Sequence, residues 1–292
     1  MENHLASMEN VTCWAFRKLC KGATDSYTGM LSLTNLIKRS NIWEEIDTFP
    51  IEGQRQWIQI ATSKETDCYA FLKKLEEEIK NHPEKDNIYG IQLNASCPSP
   101  NLIRIGQGPA LIKRSTKVTN LLKELLKQDK YKVGIKLRLG LSEIEVKQRK
   151  IFTLFTELEK LAKDNPNFTS VTIHLKHAQE SSSTTYNYSL LNELASFNLP
   201  LIINGGIEKS EDVKKLLEMV TPENIKNIKG IMLGRQALKN PNIFLEINEE
   251  LYGSPYRAVG YKEIKTEFTN LCKKHMPRPI YLTTIKEKCE WM

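Results

Sequence analysis

The sequence predicts an α/β fold, a (β/α)8 TIM barrel followed by a short C-terminal helical extension. Three observations carry that expectation. Strand-like and helix-like segments alternate over about 245 residues, which calls for a parallel sheet with helical crossovers. Eight such units can be counted, each of roughly 30 residues, the number and size of a barrel of this kind. Polar residues and glycines gather just after the predicted strands, the end where a barrel collects its functional groups. An open doubly wound sheet is the structural alternative, but it does not require eight such regular units.

Each element has a local reason. Leu5-Ala6-Ser7-Met8 is a short apolar start that carries the first strand and its end, and Trp14, Phe16, Leu19 and Cys20 give 11–21 helical spacing. A strand over 26–31 leads to a helical turn or two over 33–39. The third strand is 56–61, and Phe71, Leu72, Leu75 and Ile79 line one face of a helix over 65–81. The fourth strand, 88–94, has Gly90 as its weak point. Ser115 is the expected N-cap of a helix reaching 126. A strand over 132–137 precedes one long helix, 143–163, with Ile151, Leu154, Phe155, Leu158 and Leu161 on its buried face. The sixth strand is 170–174, and the polar run 181–185 after it reads as a surface loop. A helix over 188–197, a strand over 199–203, a helix over 210–220 capped by Ser210 and a strand over 230–233 complete the barrel, with a helical segment after Arg235. The expected division is therefore a barrel over 1–250 and an extension over 251–292, with helices at 261–272 and 281–291.

Composition narrows the class. The apolar share of 40% and charged share of 26% are those of a soluble globular chain. No stretch of about 18 apolar residues is present, so no membrane span is expected. The start, Met1-Glu2-Asn3-His4, has neither the basic region nor the apolar core of a signal peptide. Six cysteines without CxxC spacing point to free thiols in a reducing cytoplasm, and no metal site is expected. The net charge of +7 suits a polyanionic partner, although lysine-rich chains of this size are common.

The chemistry gathers at strand ends. Asn94-Ala95-Ser96-Cys97-Pro98 closes the fourth strand with an amide, a thiol and a proline that prevents any return to strand. A thiol there is accessible as a mid-strand thiol is not; a small buried cysteine beside a turn proline is the other reading. Ser7 and Met8 follow the first strand, Gln59 lies late in the third, Lys136 and Arg138 end the fifth, and His174 ends the sixth. Asn204-Gly205-Gly206 and Gly234-Arg235 follow the last two strands, where bare glycine backbone and a guanidinium can hold a phosphate.

In sum of motifs, the chain resembles the tRNA-dihydrouridine synthases, FMN-dependent barrel enzymes that reduce uridine in tRNA. The residues that carry the resemblance are Ala6-Ser7-Met8-Glu9-Asn10-Val11-Thr12 with Phe16-Arg17, the Asn94 to Pro98 stretch, and Gly106-Gln107-Gly108-Pro109-Ala110-Leu111. They continue through Ile135-Lys136-Leu137-Arg138-Leu139-Gly140, Ile173-His174, Asn204-Gly205-Gly206-Ile207 and the run from Met232 to Phe244. The resemblance implies that Cys97 is the proton donor. It implies that Ser7, Met8, Gln59, Lys136 and His174 contact FMN, and that Asn204, Gly205, Gly206, Gly234 and Arg235 grip its phosphate. Asn94 and Arg138 would lie near the substrate base. NADPH or NADH would be the reductant, and the helical extension would help to hold tRNA.

Four departures from the family pattern stand out: Ser7 in place of proline, Gly29 in place of glutamate, Ser96 in place of glycine and Lys176 in place of arginine. Asn-x-Ser-Cys-Pro is also similar to a motif of the dihydroorotate dehydrogenases, another FMN barrel family. A small-molecule flavin oxidoreductase of that type is the first rival reading, and a catalytically weakened RNA-binding barrel is the second. The Lys136-Leu137-Arg138 and Gly234-to-Phe244 motifs favour the tRNA enzymes, and the retained Cys97 and Lys136 favour a working one.

Overall fold

In the computed structural model the described residues are 1–181 and 183–292, so Ser182 of the predicted 181–185 loop lies outside them. Eight parallel strands form the barrel: β1 (Glu2–Leu5), β2 (Asp25–Tyr27), β3 (Arg55–Ala61), β4 (Gly90–Ala95), β5 (Lys132–Gly140), β6 (Phe168–His177), β7 (Leu201–Asn204) and β8 (Ile228–Leu233). Each pairs with the next in chain order, and β1 pairs with both β2 and β8, which closes the ring. A two-residue strand, Leu31–Ser32, pairs with the C-terminal end of β3, so the expected strand over 26–31 is two pieces.

Alternation along the strands explains the layering. Ile58, Ile60, Ile91, Leu93, Ile135, Leu137, Val171 and Ile173 belong to the large core cluster beneath the helices. The residues between them face the barrel interior. Inside it, Ala6, Tyr27, Trp57, Ile202 and Met232 form a separate small apolar cluster. Below that, Arg55 donates to Glu2 at 2.5 Å and to Asp25 at 2.6 Å, and Trp57 donates its indole N–H to Asp25 at 2.8 Å. Glu2, His4 and Asp25 bring their ligand atoms within 4.8 Å of one another, and the Arg55 guanidinium supplies the positive charge among them. Charge pairing thus closes the bottom of the barrel and leaves the strand C-termini as the open mouth.

The helices are α1 (Trp14–Leu19), α2 (Leu33–Leu36), α3 (Glu65–Asn81), α4 (Pro100–Arg104), α5 (Ser115–Leu125), α6 (Glu143–Lys147), α7 (Lys150–Asp164), α8 (Leu191–Ala195), α9 (Ser210–Glu218), α10 (Pro222–Ile225), α11 (Arg235–Lys239), α12 (Ile243–Tyr252), α13 (Tyr261–Lys274) and α14 (Pro279–Lys288). The expected single helix over 143–163 is broken at Arg149, whose left-handed φ of 56° cannot continue an α-helix. Ser115 and Ser210 are first helical residues, not N-caps. Before α9 the Asp212 carboxylate takes the backbone N–H groups of Glu208 and Lys209, at 2.9 and 3.1 Å. β1 begins earlier than expected, while β5 and β6 run on to Gly140 and His177. Arg138 and His174 therefore lie within strands, and Lys136 sits one turn of the pleat below the rim.

The chain beyond 250 packs against the barrel wall. Ile264, Phe268, Ile285, Cys289 and Trp291 join the same core cluster as the barrel helices. The Trp291 ring stacks on Phe16 at 6.4 Å, and its indole N–H donates to the Leu238 carbonyl at 2.9 Å. Among the described residues no helix is long and apolar enough to cross a membrane.

Candidate active site

A cleft of about 500 Å³ opens at the strand C-termini. Ser7, Met8, Lys136, His174, Asn204, Gly205, Gly206, Gly234 and Arg235 all line it. Strand periodicity puts them there: Lys136, His174 and Asn204 are interior positions on adjacent strands, and Lys136 pairs in register with Thr172 while His174 pairs with Asn204. The 7–12 loop is held by Thr12, whose N–H and hydroxyl both donate to the Met8 carbonyl.

Burial sets the electrostatics. Lys136 is 9% exposed, and among the described residues no carboxylate pairs with it. Desolvation, with the nearby Arg138 charge adding to it, pushes its ammonium down to about 8. Desolvation and the Arg138 and Lys136 charges push His174 down to about 3, so its ring is neutral at pH 7. The Asn204 amide donates to the Met232 carbonyl at 2.7 Å, which turns its oxygen toward His174 Nδ1 at 3.0 Å. That oxygen can only accept, so Nδ1 carries the ring proton and Nε2 is left as an acceptor for a ligand N–H or O–H.

Cys97 sits on a turn built for it. The Asn94 side-chain oxygen accepts the backbone N–H groups of Ser96 and Cys97, at 3.0 and 2.9 Å. Arg138 Nε donates to the Ser96 carbonyl at 2.7 Å, and its Nη1 donates to the His177 carbonyl at 3.2 Å. Gly108, with φ 59°, backs the turn so closely that a Cβ there would lie 2.6 Å from the Cys97 carbonyl oxygen. Among the six cysteines, Cys97 alone is not fully buried. Desolvation still pushes its thiol above the usual range, against a backbone hydrogen bond at Ser99 that pulls it down.

Four expected residues, Gln59, Asn94, Cys97 and Arg138, are not among those that line this cleft. Gln59 donates to Gln92 at 2.7 Å and accepts from Asn94 at 2.6 Å, so its amide is spent inside the barrel. Asn94 uses both ends of its amide on Gln59 and the Cys97 turn. These two position the thiol loop from behind and do not line the cleft wall. Gln92, which donates on to Thr172 at 3.3 Å, was not anticipated. Its place two residues before Asn94 on one strand was the available signal, as was that of Thr172 before His174.

Tyr186 and Tyr188 were also not anticipated. A Cβ at Gly205 would come within 2.3 Å of the Tyr186 ring, and one at Gly206 within 1.8 Å of the Tyr188 hydroxyl. The two glycines have φ of 103° and 72°. They are bare for two reasons, backbone conformation and close packing of two aromatic rings. Their N–H groups donate to no backbone acceptor among the described residues.

Comparison with known proteins identifies the family. The family described as dihydrouridine synthase (Dus) matches residues 4–292. A probable tRNA-dihydrouridine synthase of Aquifex aeolicus is 27% identical, over 84% of this chain and 72% of that protein. A second of that description, from Helicobacter pylori, is 27% identical over 90% of this chain and 74% of its own length. The tRNA-dihydrouridine(47) synthase [NAD(P)(+)] of Debaryomyces hansenii is 26% identical over 81% of this chain, which spans only 39% of that longer protein. Morphinone reductase shares the fold at a TM-score of 0.51, with 10% identity over 91% of this chain and 88% of its own. The chain belongs to the dihydrouridine synthase family, flavin-dependent oxidoreductases carried here on a closed (β/α)8 barrel.

Proposed function

We propose that the chain reduces a uridine of tRNA to 5,6-dihydrouridine, with FMN as its flavin and NADPH or NADH as the reductant. The observation that carries this reading is a buried ammonium and a glycine–arginine cradle in one cleft at the strand C-termini, with the Cys97 thiol close enough to Lys136 for the two groups to feel each other's charge. The residues fit a phosphorylated flavin. Gly205 and Gly206 offer backbone N–H groups and Arg235 a guanidinium on the cleft wall, and Lys136 meets the interior with its charge unmatched. A single anion cradle among the described residues suits a mononucleotide rather than a dinucleotide.

When bound, the flavin supplies the hydride that goes to C6 of the uracil. The protein does the remaining work. Lys136 is cationic below about pH 8 and stabilises negative charge on the uracil enolate. Cys97 keeps its proton because burial raises it, and delivers that proton to C5; the thiolate then recovers one from solvent. Asn94 and Arg138 fix the turn that aims the thiol. Residues 1–250 would be the catalytic unit and 251–292 an added tRNA contact, in a cytoplasm whose reducing conditions suit six free thiols. The test is mass spectrometry of tRNA after incubation with the protein and NAD(P)H. A gain of two hydrogens on a uridine is expected, and unmodified tRNA with a flavin-loaded protein would refute the reading.

A further inference from the structure

The loop after β6 carries a side chain that the proposed chemistry does not yet use. Asn187 N–H donates to the Leu175 carbonyl at 2.9 Å and draws this loop back over the mouth. Tyr186, at its end, is fixed from four sides. Its ring meets His174 edge-on at 5.4 Å and stacks on Tyr188 at 5.7 Å. The Lys176 ammonium lies 4.3 Å from the ring centroid. Arg235 Nη2 donates to its hydroxyl at 3.0 Å. The ring also rests on Gly205, and the residue lines the same cleft as the two glycines and Arg235.

We propose that the Tyr186 hydroxyl is a further donor to the flavin phosphate and a determinant of FMN over unphosphorylated flavin, an inference that rests on the flavin site proposed above. The guanidinium engages a lone pair of the phenol oxygen and leaves its proton free. That proton lies beside the one arginine of the cradle, where an anion would be drawn. The surrounding rings hold the phenol in place before any ligand arrives, so little ordering cost attends the contact. Nothing in strand periodicity marks Tyr186, because it belongs to a loop.

The test is titration of the flavin-free full-length chain with FMN and with riboflavin, for the wild type and for Tyr186→Phe. Phenylalanine keeps the ring packing and removes both the donor and the oxygen on which Arg235 rests. A lost hydrogen bond to a charged group predicts FMN binding weakened about tenfold, with riboflavin binding unchanged. Unchanged FMN binding overturns the assignment. A parallel loss of both ligands overturns it as well, and makes Tyr186 a packing residue. If the wild type itself binds riboflavin as tightly as FMN, the phosphate site fails and this inference falls with it.

Discussion

A thiol donates a proton only while it holds one, and burial keeps Cys97 protonated at neutral pH. Cys97→Ala should still bind flavin and accept electrons from NAD(P)H, because those steps use groups on other strands. Flavin reoxidation by tRNA should slow by about 10² to 10⁴-fold, the usual worth of a general acid, with Cys97→Ser in between. Stopped-flow reoxidation reads this directly; a wild-type rate in the alanine variant makes Cys97 a packing residue. Lys136 makes the opposite compromise, since its charge is useful and costly to bury. Its folded value of about 8 lies below its ordinary 10.5, so between those two pH values the unfolded chain binds more protons. Stability therefore rises with pH across that window, and the full cost is borne below about 8. Lys136→Met should stabilise the flavin-free protein by on the order of 2 to 3 kcal/mol at pH 7, with the gain shrinking toward pH 10. Chemical denaturation at the two pH values checks it, and equal gains at both would show that the charge is not what costs stability.

The turn after β7 illustrates what an element can demand of its sequence. Gly206 has φ 72° and lies against Tyr188, whereas Gly53 has φ 74° and nothing within 4 Å of its missing Cβ. Gly53→Ala should cost about 1 kcal/mol from backbone strain alone, and Gly206→Ala should cost more, about 2 to 4 kcal/mol, because a ring must also move. Thermal melts of the two variants make the comparison, and equal losses would mean that Tyr188 yields freely. The strands were legible because one face of each packs under helices and repeats every second residue, as in Ile91, Leu93 and Ala95 against Gln92 and Asn94. The mouth was legible for the same reason, since parallel strands deliver His174 and Asn204 to one end. The break at Arg149 was not, because a single left-handed residue of good helix propensity leaves the apolar spacing on either side intact. Caps failed by one position at Ser115 and Ser210, where only the backbone angle of the preceding residue separates cap from first turn.

At the scale of the molecule, the chain beyond 250 and the barrel share one core. Tyr281 reaches the rim of the mouth, where its hydroxyl would lie 3.2 Å from a Cβ on Gly29, so the glycine after β2 makes room for the extension. Lys21 pairs with Glu267 at 2.8 Å and Arg278 with Glu45 at 2.6 Å across the same boundary. Ending the chain at Glu250 would strip Phe268, Ile285 and Trp291 from α1 and expose Phe16. Such a chain should melt at a clearly lower temperature, which makes truncation a poor test of RNA binding. Surface charge offers a better one. Lys273, Lys274, Lys286 and Lys288 are exposed on α13 and α14, and their apolar neighbours hold the helices in place without them. If these lysines meet tRNA phosphates, each contact releases counterions, and log affinity falls with log salt at a slope of roughly 0.7 to 0.9 per contact. Replacing all four by glutamine should leave the melting temperature nearly unchanged and, if all four make such contacts, flatten the salt dependence of tRNA binding by about 3 in slope. Filter binding from low to moderate salt measures both slopes. Equal slopes in a variant that melts normally would show that this face stays in solvent and that the barrel mouth carries the tRNA contacts by itself.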